Sequence, residues 1–205
     1  MEVSGKKNRS LEISQEILEL GKIVLTSKQI KYANKLSEDI KVANEREGTI
    51  KFLKDLVGNK PKRPLYYVEL HLRDLPDWTR DSVRYLGDYI DQLVKFLSAE
   101  KLRENKNLIK SLGLNISILR DRSILSNELL GILDNYNIYL YVPAKHDFDV
   151  KDREHRFTSK EVIYACFITI ELGKKLINLS ERAKEYAEER THEYYPYDEL
   201  TDNFN

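Results

Sequence analysis

Residues 158–190 read TSKEVIYACFITIELGKKLINLSERAKEYAEER, and this segment predicts the central helix of the fold. Thr158 and Glu161 have the spacing of a capping box, in which each side chain accepts a hydrogen bond from an unpaired backbone N–H at the start of a helix. Residues 162–170 are apolar on nearly every side, whereas residues 181–190 are charged on most sides. We therefore predict one helix of about thirty residues that other helices surround at one end and that projects at the other.

Helical periodicity extends along the rest of the chain. Residues 11–24 form a first amphipathic segment, and Ser27 is the predicted cap of a longer helix that continues to residue 56. Residues 61–78 are ambiguous between a short strand and a buried helical turn. Three more helices are predicted, each from a stripe of apolar residues: Val83, Leu86, Ile90, Leu93 and Leu97; Ile109, Leu112, Ile116 and Leu119; and Leu129, Leu133 and Tyr136. Ser126 is the predicted cap of the third.

The composition agrees with a helical domain. The chain has 205 residues, of which 41% are hydrophobic and 33% charged, with 8 Gly and 5 Pro. A chain of this length can bury a core that needs neither disulfides nor a structural metal. We predict an all-α fold, a single elongated helical bundle over residues 1–205 with a long central C-terminal helix, and loose tails at residues 1–9 and 192–205.

Several classes of function are excluded or disfavoured. Cys166 is the only cysteine, which excludes an intramolecular disulfide and a cysteine-based zinc cluster, and its apolar surroundings predict a buried thiol with a raised pKa. The sequence contains no P-loop, HExxH or GxSxG motif. With 34 basic and 34 acidic residues the net charge is zero, which disfavours extended binding to duplex DNA. Without a secretory signal or an apolar run that spans a bilayer, we expect a cytoplasmic protein that does not bind membranes.

Residues 142–158 are predicted to form a polar connection between helices, and chemistry is concentrated within it at residues 144–156, AKHDFDVKDREHR. Imidazole groups beside lysine and arginine can transfer protons and stabilise a pentavalent phosphate, as a metal-independent ribonuclease requires. His146 is the candidate for proton transfer. The other candidates for this site are Lys145 and Arg153 beside it, and Arg156 and Lys151 as phosphate ligands.

Other interpretations of this segment remain open. Its charges are also typical of a solvated loop that His146 or Phe148 fastens to the bundle. Imidazole and carboxylate groups suit zinc or manganese, although two histidines one helical turn apart are missing. The residues that a metal would use are Asp147, Asp149, Asp152 and His155, together with His146. The tyrosines 136, 139 and 141 could stack on unpaired bases around Lys145, or complete the core at the end of their helix. His71 and His192 are weaker candidates for chemistry.

Residues 108–180 resemble the HEPN (higher eukaryotes and prokaryotes nucleotide-binding) superfamily. The similarity consists of an asparagine near a helix end, Asn135 or Asn137, a short loop with Lys145 and His146, and then a long apolar helix. The resemblance implies a bundle of four or more helices that usually dimerises, and a metal-independent ribonuclease of a toxin, abortive-infection or other defence system. The family signature, an arginine, then four to six residues, then a histidine, is absent from this sequence. Many members of the superfamily bind or dimerise without catalysis.

The sequence thus leads to two expectations. The first is a HEPN-like RNA-binding protein or ribonuclease of a prokaryotic defence or toxin system, which works without a cofactor and forms a homodimer. The second is a noncatalytic helical module for dimerisation or interaction. RNA affinity or cleavage that depends on His146 distinguishes the first from the second.

Overall fold

A computed structural model describes residues 13–42, 78–145 and 157–188. Within these ranges every regular element is helical, so the predicted all-α fold is confirmed there. The α-helices in chain order are α1 (Gln15–Val24), α2 (Ser27–Val42), α3 (Trp78–Leu102), α4 (Leu112–Asp121), α5 (Asn127–Tyr136), α6 (Val142–Lys145), α7 (Ser159–Ile177) and α8 (Glu181–Glu188). A 3₁₀ helix, Asn105–Ile109, precedes α4, and a π-helical segment, Asn137–Tyr141, joins α5 to α6.

Helix α7 lies at the centre of the bundle, as its sequence predicts. It packs against α1, α2, α3 and α8, with its most extensive contact on α3. The predicted capping box is present, since Glu161 N donates to Thr158 Oγ1 at 3.2 Å and Thr158 N donates to Glu161 Oε2 at 3.0 Å. The predicted stripe of α3 faces this helix and the elements around it, and all its members are fully buried: Val83, Leu86, Ile90, Leu93 and Leu97.

The predicted thirty-residue helix is divided in two. Helix α7 ends at Ile177, and the chain begins α8 at Glu181. Glu100 of α3 explains the division, because its Oε2 accepts hydrogen bonds from Ser180 Oγ at 2.8 Å and from Arg182 N at 2.9 Å. The expectation of a projecting charged end is therefore wrong. Helix α8 lies on α3, where the Tyr186 ring packs 5.1 Å from the ring of Phe96.

The start of α2 differs from the prediction by one residue. Helix α2 begins at Ser27 itself, and its start is capped by Thr26, whose Oγ1 accepts from Gln29 N at 3.3 Å. Gln29 Oε1 in turn accepts from Thr26 N at 2.9 Å, which completes a capping box one residue earlier than predicted. The expected cap of α5 is confirmed, since Ser126 Oγ accepts from Leu129 N at 3.2 Å.

The helix predicted from the stripe Ile109 to Leu119 begins later than expected. Residues 105–109 form the 3₁₀ helix, and α4 starts at Leu112 after a cap by Ser111. Ile109 was expected in the buried stripe but is 89% exposed, so that expectation is wrong. Asn115 causes the change of path, because its Nδ2 donates to the carbonyls of Asn107 at 3.1 Å and Lys110 at 3.3 Å.

The polar connection predicted over residues 142–158 begins later as well. Helical structure continues from Asn127 through Lys145, and Ala144 within it is buried. The predicted continuation of α2 beyond residue 42, the ambiguous residues 61–77 and the tails at residues 1–9 and 192–205 lie outside the described residues.

Candidate functional site

Lys145 is the member of the predicted site that the structure describes. It is the last residue of α6, and its side chain is exposed. The remaining predicted residues lie outside the described part of the chain: His146, Lys151, Arg153 and Arg156; the alternative metal ligands Asp147, Asp149, Asp152 and His155; and His71 and His192.

The π-helical segment sets the direction in which the chain approaches Lys145. It contains a backbone hydrogen bond between residues five apart, in which the N–H of Val142 donates to the carbonyl of Asn137. Such a wide turn changes the faces that the following side chains present, and it often occurs at functional sites. Here Tyr136 packs against α7, where its hydroxyl lies 2.7 Å from Thr169 Oγ1, while Tyr141 packs against α3.

Tyr141 connects Lys145 to α3. Lys145 Nζ donates a hydrogen bond to the Tyr141 hydroxyl at 2.7 Å, and it lies 4.7 Å from the centroid of the same ring. The Tyr141 hydroxyl donates to Asp88 Oδ1 at 2.7 Å and lies 3.4 Å from Asp91 Oδ2. A hydrogen-bonded chain therefore runs from the exposed ammonium through a buried phenol to a carboxylate of α3.

Asp91 is the most buried carboxylate of this network, with only 3% of its surface exposed. Its Oδ2 forms a salt bridge with Lys95 Nζ at 2.8 Å. Among the described residues its Oδ1 has no hydrogen-bond partner. Burial of an unpaired charge is costly, and the salt bridge to Lys95 offsets the cost of burying the Asp91 carboxylate.

Gly87 allows the Tyr141 ring to lie directly on α3. A Cβ atom at this position would stand 2.1 Å from Cδ2 and 2.8 Å from Cγ of Tyr141. These distances are far shorter than the van der Waals contact of two carbon atoms. Glycine is therefore required here for close approach between the two helices, and the approach brings Tyr141 within reach of Asp88.

The pKa of the Tyr141 phenol is raised well above its ordinary value. Burial is the largest cause, followed by the hydrogen bond to Asp88 and the negative charges of Asp91 and Asp88. The phenol consequently stays protonated and neutral near pH 7. It can then donate its one proton to Asp88 and accept the hydrogen bond of Lys145 at the same time.

Cys166 has the environment that its sequence predicts. It is fully buried in α7, and this burial raises the pKa of its thiol to about 12. The thiolate is the nucleophilic form of cysteine, so this residue is unsuited to nucleophilic chemistry. In the described ranges no group of three or more His, Cys, Asp or Glu side chains is arranged to hold a metal ion.

Sequence reasoning missed Asp88 and Asp91, and it left the role of Tyr141 open. The signal that could have found the two carboxylates is their spacing with Lys95, three and four residues apart on a predicted helix. This places all three on one side of α3, next to its apolar stripe. The partner that makes them notable, Tyr141, is 53 residues from Asp88 in the chain.

An apolar groove lies beside the predicted site. It has a volume of about 210 Å³ and is lined in part by Ile17 of α1, Ile138 and Tyr139 of the π-helical segment, Pro143 and Phe157. Pro143 and Phe157 stand near the two described ends of the chain on either side of residues 146–156. Described residues on both sides of residues 146–156 therefore line the same groove.

Comparisons with known proteins give no further assignment. Neither a protein-family model, nor a curated protein, nor a solved structure matches this chain. In the part of the chain that the structure describes, no helix is long and apolar enough to cross a membrane.

Proposed function

We propose that the protein binds single-stranded RNA at the surface that begins at Lys145, and that it acts there as a metal-independent ribonuclease of a prokaryotic defence or toxin system. The main support is the Lys145 ammonium, which is exposed and held in place by Tyr141. No described carboxylate lies within salt-bridge distance of it. Its positive charge is thus available to a phosphate oxygen, and the resemblance to the HEPN superfamily favours RNA as the source of that phosphate.

The proposed reaction uses the residues that follow Lys145 in the sequence. The imidazole of His146 takes the proton of a ribose 2′-hydroxyl as the 2′-oxygen attacks the adjacent phosphorus. The imidazolium then returns the proton to the departing 5′-oxygen, so the products are a 2′,3′-cyclic phosphate and a 5′-hydroxyl. Lys145 and Arg153 stabilise the additional negative charge of the transition state, and Arg156 and Lys151 bind neighbouring phosphates.

Cleavage of a labelled single-stranded RNA tests this function. Wild type is compared with His146→Ala and Lys145→Gln, in EDTA and without it, after circular dichroism and molar mass have been matched. Lys31→Gln is the control, because Lys31 is an exposed lysine of α2. We expect cleavage in EDTA by wild type and by the control, and a loss of cleavage in both site variants.

Other results would change the assignment. Cleavage that occurs only with added zinc or manganese would favour a metal site built from Asp147, Asp149 and His155. The proposed function would be contradicted if a folded wild-type protein neither binds nor cleaves the RNA.

A second candidate function, a noncatalytic dimerisation module, is favoured by exposed apolar side chains. Ile138 is 54% exposed and Tyr139 is 37% exposed, and both line the groove beside the predicted site. An apolar surface of this kind is often covered by a partner. A second copy of the chain would bury it.

Molar mass in solution tests the second candidate. If a homodimer forms through this groove, Ile138→Glu converts the dimer to a monomer. Ile109→Glu is the matched control, because Ile109 is also exposed but lies on the 3₁₀ helix and not in the groove. A monomeric wild type, or a dimer that both variants leave intact, would contradict this use of the groove.

A further inference from the structure

The Lys145 ammonium is oriented by a neutral hydroxyl instead of a carboxylate. Its hydrogen bond to Tyr141 is 2.7 Å long, and Tyr141 stands between it and Asp88. Asp91, the other acidic group in contact with the phenol, is paired with Lys95. The arrangement fixes the ammonium in space and leaves its charge without a directly paired anion among the described residues.

The direction of the hydrogen bonds is fixed. A phenol has one proton to donate, and the 2.7 Å contact with Asp88 uses it, because an ionised carboxylate only accepts. The lone pairs of the Tyr141 oxygen are then left for Lys145, which only donates. An ammonium group has three N–H bonds, and this contact occupies one of them. The other two make no hydrogen bond to a described residue and can bind a ligand.

We propose that Tyr141, held by Asp88, is the positioning residue that presents the Lys145 ammonium to a phosphodiester oxygen of the bound RNA. The inference rests on the proposed function and adds to it the residues that prepare the cation for its ligand. A preorganised ammonium loses less side-chain entropy on binding than a freely rotating one. Gly87 contributes to the same positioning of Lys145, because it leaves space for the Tyr141 ring to reach Asp88.

The contact can be tested in the free protein by competitive acetylation with acetic anhydride, with Lys145 followed by mass spectrometry. The reagent must reach the Lys145 nitrogen, and the hydrogen bond to Tyr141 holds that nitrogen against the phenol. We expect Tyr141→Phe and Asp88→Ala to raise the acetylation rate of Lys145 about three- to tenfold, because the first removes the acceptor of this hydrogen bond and the second removes the carboxylate that holds the phenol in place. Asp88→Asn keeps an oxygen that can accept from the phenol, so it should stay close to wild type.

Tyr32→Phe is the matched control. Tyr32 of α2 is 50% exposed, and its hydroxyl makes no hydrogen bond to a described residue. This variant should leave the acetylation rate of Lys145 unchanged. Equal rates for wild type and Tyr141→Phe, or equal increases in Tyr141→Phe and Tyr32→Phe, would overturn the positioning role.

Binding of a fluorescently labelled single-stranded RNA at low salt completes the test. We expect Lys145→Gln to weaken binding about tenfold and Tyr141→Phe about threefold, with Tyr32→Phe equal to wild type. Undiminished affinity in Tyr141→Phe, when Lys145→Gln binds weakly, would overturn the inference and leave the proposed function standing. Absence of binding by wild type would overturn the proposed function and its phosphate ligand, while the acetylation rates still decide the contact between Tyr141 and Lys145.

Discussion

Glu161 Oε1 accepts a hydrogen bond of 2.9 Å from the backbone N–H of Ser14, which lies 147 residues earlier in the chain. Its Oε2 atom accepts from the N–H of Thr158 at 3.0 Å. Ser14 and Thr158 are the N-caps of α1 and α7, so one carboxylate satisfies a backbone donor at the start of each helix. Its negative charge also lies at the positive ends of both helix dipoles.

Replacement of Glu161 should therefore destabilise the fold through two helices at once. Glu161→Ala leaves two backbone donors without their acceptor, and we expect a loss of about 1–3 kcal/mol in the free energy of unfolding. Glu161→Gln retains one acceptor oxygen and should lose less. Urea unfolding followed by circular dichroism measures both. Glu16→Gln, in the exposed first turn of α1, is the control, and a loss in Glu161→Ala no larger than in this control would contradict the role.

Gly87→Ala tests the close approach of Tyr141 to α3. Alanine favours helix over glycine by about 1 kcal/mol, but here its methyl group would overlap the Tyr141 ring. We expect the steric overlap to outweigh the gain in helix propensity and to lower the free energy of unfolding by roughly 1–3 kcal/mol, as measured by urea unfolding. Gly131→Ala is the matched control, because a Cβ atom at Gly131 of α5 meets nothing within 4 Å. That substitution should stabilise the protein slightly, and equal effects of the two would contradict the required approach.

The helices could be predicted wherever local patterns determined them. The stripe from Val83 to Leu97 has the period of a helix and is fully buried, and the capping box of Thr158 and Glu161 depends on residues three apart. Such signals are contained in a short window of sequence. For the same reason the burial of Cys166 followed from its apolar neighbours.

The errors arose where a distant residue decides the local path. The break after Ile177 depends on Glu100, which is 80 residues from Ser180 in the chain. Ile109 has the correct helical spacing, but Asn115 binds the backbone carbonyls beside it and the chain takes a 3₁₀ path. In the candidate site, Lys145 was recognisable from its charge and its neighbours in the sequence. Its hydrogen bond to Tyr141 joins residues four apart in the sequence. The bond from Tyr141 to Asp88 joins residues 53 apart, and it depends on packing against α3 that no sequence spacing indicates.

The Cys166 thiol should be unreactive in the folded protein. It is fully buried, and burial raises its pKa to about 12, so little thiolate forms near pH 8. Ellman's reagent should label less than a tenth of the protein in native buffer over a time in which urea-unfolded protein reacts completely. Rapid stoichiometric labelling of the native protein would contradict the burial of this residue. Since Cys166 is the only cysteine, the signal has one source.

Glu100 should make the stability depend on acid. The hydrogen bond from the Arg182 N–H is the largest cause that lowers its pKa below the ordinary value of 4.5, and Ser180 and Lys101 lower it further against the opposing effect of burial. A carboxyl group whose folded pKa lies below its unfolded one stabilises the fold above the unfolded value. That contribution is lost as the pH falls through the folded value. Stability should therefore decline between about pH 5 and pH 3, as the carboxylate that caps α8 is protonated.

Glu100→Gln removes this titration and isolates its effect. The variant should be less stable than wild type at pH 7, because the charged acceptor of Ser180 and Arg182 is gone, and the difference should shrink as the pH falls to about 3. Urea unfolding at a series of pH values measures the difference directly. Glu185→Gln, an exposed position on α8, provides the matched control and should show a constant offset from wild type. A difference between wild type and Glu100→Gln that stays constant across this range would show that the division between α7 and α8 does not depend on the charge of Glu100.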